Sequence, residues 1–335
     1  MRRIRIATAC LCLVTPVSAE PAAHWAPVEP SAWTAAVSKA VQAYGEIQKS
    51  TVVMVVHDDR VIVSWGDVKA RVNVRSVRKS LLSTLYGIAV AEKKIDLAST
   101  LAQLGIDDKP PALTGAEKRA TVGDLLMARS GIYHAAAYET SDMRQKRPAR
   151  GGHAAGTFWY YNNWDFNTLG TIYRQATHED IFQSFADRIA TPIGMEDFSA
   201  QNGRYVTEAS SSHPAYVFSM SARDLARFGL LLINDGRWNG RQIVPADWIR
   251  QSTSTYSQTD RGHLGYAYLW WTLPPNVCGP GAFLASGFGG QFVAICPFNR
   301  LVVTQTVEID QGRGGGHTSA LLGLLRTIAA NAPRH

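Results

Sequence analysis

Ser76-Val77-Arg78-Lys79 stands where an extended segment gives way to a long helical pattern, with apolar positions at Leu81, Leu82, Leu85, Ile88 and Ala89 on the way to Glu92. Residues three apart on a helix share one face, their Cβ atoms about 5–6 Å apart, so the Lys79 amine can reach the Ser76 hydroxyl. A serine is a weak nucleophile at neutral pH and needs a base within hydrogen-bond reach. Lysine serves as that base only where burial and positive neighbours depress its pKa, and the first turn of a helix offers a positive end. The same residues also read as a capping serine followed by a solvated lysine. A Ser-x-x-Lys tetrad arises about once by chance in a chain of this size, so this one needs partners elsewhere.

Working outward, the chain opens Met1-Arg2-Arg3-Ile4-Arg5, continues through an apolar run from Ile6 to Val14 and reaches Val17-Ser18-Ala19. A basic start, a short apolar core and small residues before a cut describe a secretory signal peptide over residues 1–19. The run is too short to span a bilayer, so export without a stable membrane anchor is expected, to a periplasmic or secreted location. Loss of the three arginines takes the formal net charge from +7 to +4. That charge is mild, and with no basic run or zinc-finger spacing, nucleic acid is not an expected partner. Removal of Cys10 and Cys12 leaves Cys278 and Cys296. In an oxidising compartment these are a candidate disulfide, with two buried free thiols as the other reading.

The hydrophobic fraction of 46% is ample for a large core. Ser31 to Ile47 is helical in pattern, Thr51 to His57 and Val61 to Trp65 form a hairpin about Asp58-Asp59, and the Ser76 helix follows. From Leu97 to about Ser252 the patterns are mainly helical: Thr121 to Ala128, Phe166 to Ala176, Ile181 to Ile189, and Ser221 to Asn234 with Ser221 as N-cap. Strands return at Gly265 to Trp271, Ala282 to Ser286, Gln291 to Cys296 and Leu301 to Thr306, before a last helix from Thr318 to Ala330. Strand material at both ends implies an α+β fold. One antiparallel sheet, flanked by terminal helices, is built from about residues 20–94 and 255–335, and an all-helical lobe is inserted over about 95–254. Together residues 20–335 form one catalytic unit.

Two further segments offer chemistry. Gly156-Thr157-Phe158-Trp159-Tyr160-Tyr161-Asn162-Asn163 is an aromatic and amide cluster leading into a helix. A tyrosine beside a Ser/Lys pair can shuttle protons, and a neighbouring ammonium favours its phenolate; stacked aromatics between packed elements are the plainer reading. Leu284-Ala285-Ser286-Gly287-Phe288-Gly289-Gly290-Gln291 is a strand running into a glycine-rich turn. Its N–H groups can stabilise an oxyanion, or it is simply a hairpin. It matches neither a phosphate loop nor the dinucleotide pattern. No Gly-x-Ser-x-Gly elbow offers a rival nucleophile, and His178-Glu179-Asp180 lacks the second histidine of a zinc-protease helix, so neither metal nor other cofactor is expected.

The order of these elements resembles the serine hydrolases related to class C β-lactamases and penicillin-binding proteins, a group that includes esterases and 6-aminohexanoate-dimer hydrolases. The resemblance runs from about Thr51 to the C-terminus. It is carried also by Leu125-Leu126-Met127-Ala128-Arg129-Ser130-Gly131, by Ser219-Met220-Ser221-Ala222-Arg223-Asp224-Leu225-Ala226-Arg227-Phe228-Gly229 and by Gly265-Tyr266-Ala267-Tyr268-Leu269-Trp270-Trp271. It implies a β-lactamase/transpeptidase-like fold with Ser76, Lys79 and a tyrosine as catalytic residues. Both Tyr160-x-Asn162 and Tyr161-x-Asn163 fit the family motif; Gly156-Thr157 before it and Leu169-Gly170 after it select Tyr161, with Asn163 in support.

Those β-lactamases carry Lys-Thr/Ser-Gly on the sheet strand, and here no cation stands in that motif. The departure points to an ester or amide rather than a β-lactam, and leaves the second oxyanion donor within Gly287, Phe288, Gly289, Gly290 and Gln291. The expected function is an exported serine hydrolase acting on a small ester, amide or peptide-like substrate. A β-lactamase or D,D-peptidase is the alternative enzyme, and a non-catalytic penicillin-recognition module the alternative of another class. His134 and Trp159 are candidate pocket residues, each better read as structural. Nothing in the sequence sets an oligomeric state.

Overall fold

The structure, a computed structural model, describes residues 25–26, 28–309 and 317–333. The expected signal segment, with Cys10 and Cys12, lies outside them. The chain begins with helix α1 (Ala32–Ile47), hairpin strands β1 (Val52–His57) and β2 (Arg60–Gly66), strand β3 (Val72–Asn73) and helix α2 (Val77–Ala91). The middle carries α3 (Val122–Leu126), α4 (Ser141–Gln145), α5 (Asn163–Thr177), α6 (Ile181–Phe185), strands β4 (Gly203–Val206) and β5 (Ala215–Met220), and α7 (Ala222–Ile233). There follow β6 (Arg237–Trp238), β7 (Arg241–Gln242), α8 (Ala246–Ser252), β8 (Ser257–Gln258), β9 (Gly265–Tyr266) and β10 (Trp271–Thr272). The chain closes with α9 (Pro275–Cys278), β11 (Phe283–Gly287), β12 (Gln291–Cys296), β13 (Leu301–Thr306) and α10 (Thr318–Ala330).

Eight strands make one antiparallel sheet in the order β2-β1-β13-β12-β11-β10-β9-β8. The expected union of both chain ends is thus built by β1 pairing with β13. Alternation along a strand decides what covers each face. On β13, Val302 meets Gly229 of α7 so closely that a Cβ there would lie 2.4 Å from it, and Thr304 Oγ1 donates to Ala222 O. Gln305 turns the other way, to the Tyr44 hydroxyl of α1. On that second face α1 and α10 are tied by a bond from Trp33 Nε1 to Ile328 O at 3.1 Å. Local signals set the helix starts: Ser31 and Thr121 each close a capping box, and the Ser221 side chain caps α7.

Two expectations need correction. Gly265 to Trp271 is two short strands, not one. Between them Leu269 takes a left-handed φ of 66°, Ala267 N bonds Trp270 O, and the carbonyls of Tyr268 and Leu269 accept from Ser83 and Ser80 of α2. Bonds to α2 therefore outweigh strand pairing there. The inserted stretch is also not purely helical: its β4 and β5 pair, with β3 from the preceding segment on the other side of β5, and β6 and β7 form a hairpin. β5 is buried at nearly every position, so its residues lack the polar/apolar alternation that marks a strand.

Cys278 and Cys296 are bonded, their Cα atoms 5.8 Å apart, closing a loop with a sequence separation of 18. A loop of that length supplies about 2–4 kcal/mol. The double variant Cys278→Ala/Cys296→Ala is expected to lose about that much stability and to unfold at lower urea, and an unchanged midpoint would reject it.

Candidate active site

Ser76 occupies the N-cap position of α2, yet its side chain makes no capping bond and its backbone is already helical. The capping reading of this serine therefore fails. The Lys79 amine lies 2.8 Å from Ser76 Oγ and 2.7 Å from the Tyr161 hydroxyl. The residue before the serine, Arg75, holds φ at 52°, a conformation that costs a non-glycine residue about 1–3 kcal/mol. Neighbours over-determine it. Arg75 N donates to Asn73 Oδ1, and the Arg75 and Asn73 side chains both donate to the Tyr138 hydroxyl, at 2.8 and 2.9 Å.

Lys79 is only 2% exposed, and among the described residues no carboxylate pairs with it. Its ammonium position is roofed by the rings of Tyr161 at 4.4 Å and Phe166 at 4.6 Å. Burial above all, and then the charges of Arg78 and Arg261, hold its pKa well below the ordinary lysine value. A shift in that direction is the one a lysine needs to serve as a base. Tyr161 responds to the same burial in the opposite direction. Loss of solvent raises its pKa, opposed by a bond from Ser76 and by the Arg261 and Arg78 charges. Burial thus works against the phenolate that a neighbouring ammonium would favour.

Tyr161 reaches Lys79 because the loop ahead of α5 is pinned to the segment after α3. Gly156 N donates to Arg129 O and Tyr160 N to Ala128 O, at 2.8 and 2.9 Å. Tyr160 points elsewhere, its hydroxyl donating to Met143 O, while Asn162 caps α5 through Asp165 N. Asn163 is not brought to the Ser/Lys pair. Its Nδ2 donates to Tyr138 O at 2.5 Å, so it touches the same residue whose hydroxyl holds Arg75.

The glycine-rich turn faces Ser76 through Gly287. A Cβ on that residue would lie 2.5 Å from Val74 O and 3.1 Å from Ser76 N. Gly287 O accepts from Gly290 N inside the hairpin, at 3.3 Å. In a trans peptide the following N–H, that of Phe288, points the opposite way. On that side β10 pairs only as far as Leu284 and Phe283, leaving the end of β11 uncovered. Gly289 and Gly290, at φ 79° and 95°, make the turn itself. Gln291 is removed from the site: its side-chain amide bonds the N–H and carbonyl of Val307. Gly287→Ala is expected to displace the Val74–Ser76 backbone, and a misplacement near 1 Å costs about 10²-fold in rate. Labelling by a fluorophosphonate at an unchanged rate would contradict this.

Ser76, Tyr161, Ser286, Gly287, Phe288 and Arg261 line a cleft of about 390 Å³. Arg261 is the functional candidate that motif reading missed. It lies in the loop between β8 and β9, 5.4 Å over the Tyr161 ring, and gives the cleft a cation that the β11 motif lacks. Of the two residues read as structural, His134 stands 3.6 Å from Glu117, away from the cleft. Trp159 packs on Tyr266 and Trp271, ring centroids 5.7 and 6.0 Å apart. Among the described residues no cluster of His, Cys, Asp and Glu could hold a metal ion.

The fold has wide company. A putative 6-aminohexanoate-dimer hydrolase from Bacillus anthracis aligns with a TM-score of 0.68 at 20% identity, over 86% of this chain and 81% of that one. A family VIII carboxylesterase aligns with 0.67 at 17% identity, over 90% and 98%. The D-alanine carboxypeptidase AmpC from Burkholderia cenocepacia aligns with 0.65 at 17% identity, over 89% and 98%. No curated protein sequence matches significantly. The family model described as Beta-lactamase matches residues 37–321. With its sheet, its Ser76 helix and its cleft in the arrangement above, the chain belongs to the beta-lactamase family, a family of serine hydrolase fold.

Proposed function

We propose that this protein is an exported serine hydrolase that cleaves ester or amide bonds through an acyl-enzyme on Ser76. One observation carries the reading: a buried Lys79 amine within 2.8 Å of the Ser76 hydroxyl and 2.7 Å of the Tyr161 hydroxyl, at an open cleft. The neutral amine accepts the Ser76 proton as Oγ attacks the carbonyl carbon. The oxyanion is received by the N–H of Ser76 and that of Phe288, both fixed before the reaction begins. Tyr161 passes its proton to the leaving group and recovers one from Lys79, and water then releases the acyl group by the reverse route.

Export is supported by the leader-like start of the sequence and by the Cys278–Cys296 bond, which oxidising compartments favour. No helix among the described residues is long and apolar enough to cross a membrane. The Arg261 cation supports a second reading, as a β-lactamase or D,D-peptidase, since a cation at the cleft meets the carboxylate of such substrates. Turnover of p-nitrophenyl butyrate against nitrocefin separates the two. Faster ester turnover is expected, and faster nitrocefin turnover overturns the esterase reading.

A further inference from the structure

Beside the catalytic cleft lies a larger cavity of about 720 Å³, and the two share Asp142, Met143, Tyr161 and Arg261 as wall residues. A space of that size accepts a drug-sized group. Its wall carries the aromatic residues Phe158, Trp159, Tyr160 and Tyr256 besides Tyr161. The charges on it are Arg129, Lys146 and Arg261 against Asp142 and Asp260.

The pairing of those charges is uneven. Asp142 is engaged by Lys146 at 2.8 Å, while Arg261 stands off at 3.6 Å, beyond a hydrogen bond. Arg129 has no carboxylate partner among the described residues. Its Nη1 reaches only the Tyr256 carbonyl, at 3.3 Å, and its Nε is buried without a partner. A guanidinium is a planar fork of donors that matches a carboxylate, and Arg129 lines this cavity with a single long bond to a backbone carbonyl.

We propose that this annex receives the part of the substrate remote from the scissile bond, an aromatic or extended apolar group that ends in a carboxylate, with Arg129 and Arg261 as its anion contacts. The assignment rests on the serine-hydrolase reading and names its substrate class. The ring faces take the apolar body, and its carboxylate takes up the donors that Asp142 does not fill. An uncharged isostere of the same shape leaves the guanidinium groups as they are and forfeits the charge-assisted bonds.

Calorimetric titration with 4-phenylbutyrate and with 4-phenylbutyramide tests this without turnover. The acid is expected to bind about ten-fold or more tightly than the amide, in the wild type and in Ser76→Ala alike. Arg129→Gln and Arg261→Gln are each expected to bring the acid-to-amide ratio towards one. Equal affinity for acid and amide in the wild type overturns the proposal, as does a preference that survives both substitutions. A retained acid preference in a protein that hydrolyses no ester or amide leaves the annex standing and rejects the Ser76 reading instead.

Discussion

Ser76→Ala is expected to lose hydrolysis by a factor on the order of 10⁶ in kcat, the scale seen when nucleophile and base act as one unit. It is also expected to lose all covalent labelling by a fluorophosphonate. The expectation is this large because, among the described residues, no other serine or threonine hydroxyl at the cleft bonds the Lys79 amine. Ser286 and Ser141 line the same space, but the lysine amine and the tyrosine hydroxyl converge on Ser76 alone. Alanine removes one oxygen whose bond is to a side chain rather than to the helix backbone, so α2 keeps its start and the fold its stability. Mass spectrometry of the labelled wild type should place the adduct on Ser76. Labelling that persists in the variant would move the nucleophile elsewhere.

Lys79→Met and Tyr161→Phe are each expected to cost about 10²–10⁴ in rate, the worth of a positioned acid or base. The pH dependence distinguishes the lysine role. Catalysis needs the unprotonated amine, so the rate falls on the acid side of the depressed Lys79 pKa and not near the ordinary value of 10.5. Stability carries the same sign. In the unfolded chain the lysine takes up its proton below 10.5, whereas the buried amine resists it, so folding is penalised increasingly as pH falls from that value towards the depressed one. Lys79→Met is therefore expected to melt above the wild type at pH 7 while nearly inactive, an exchange of activity for stability. A variant that melts lower, or keeps a near wild-type rate, rejects lysine as a buried neutral base.

Much of the site was legible because it is local. The Ser76 to Lys79 spacing follows from helix geometry, and the strands from β11 to β13 with the turn at Gly287–Gly290 follow from apolar runs and glycines. The motif order likewise supplied the family. Other features were out of reach of any local pattern. The flanking Gly156-Thr157 and Leu169-Gly170 pointed to Tyr161 through the family resemblance, but no local pattern says where the Tyr160 and Tyr161 hydroxyls go. Only the backbone bonds from Tyr160 and Gly156 to the Ala128 and Arg129 carbonyls turn one towards Met143 and the other towards Lys79. Gln291 sits in the motif yet turns to Val307, while Arg261 sits in no motif and reaches the cleft.

The sequence by itself determined the α+β class, the helix starts at Ser31, Thr121 and Ser221, and the placing of a serine and a lysine on one helical face. Each of these depends on residues a few positions apart. The tertiary structure alone decided that the Tyr161 hydroxyl lies at the lysine amine, which glycine presses on the Ser76 backbone, and that burial lowers the Lys79 pKa. These depend on burial and on contacts between residues far apart in the chain, and the free energy of a charge is set by what surrounds it, not by its neighbours in sequence.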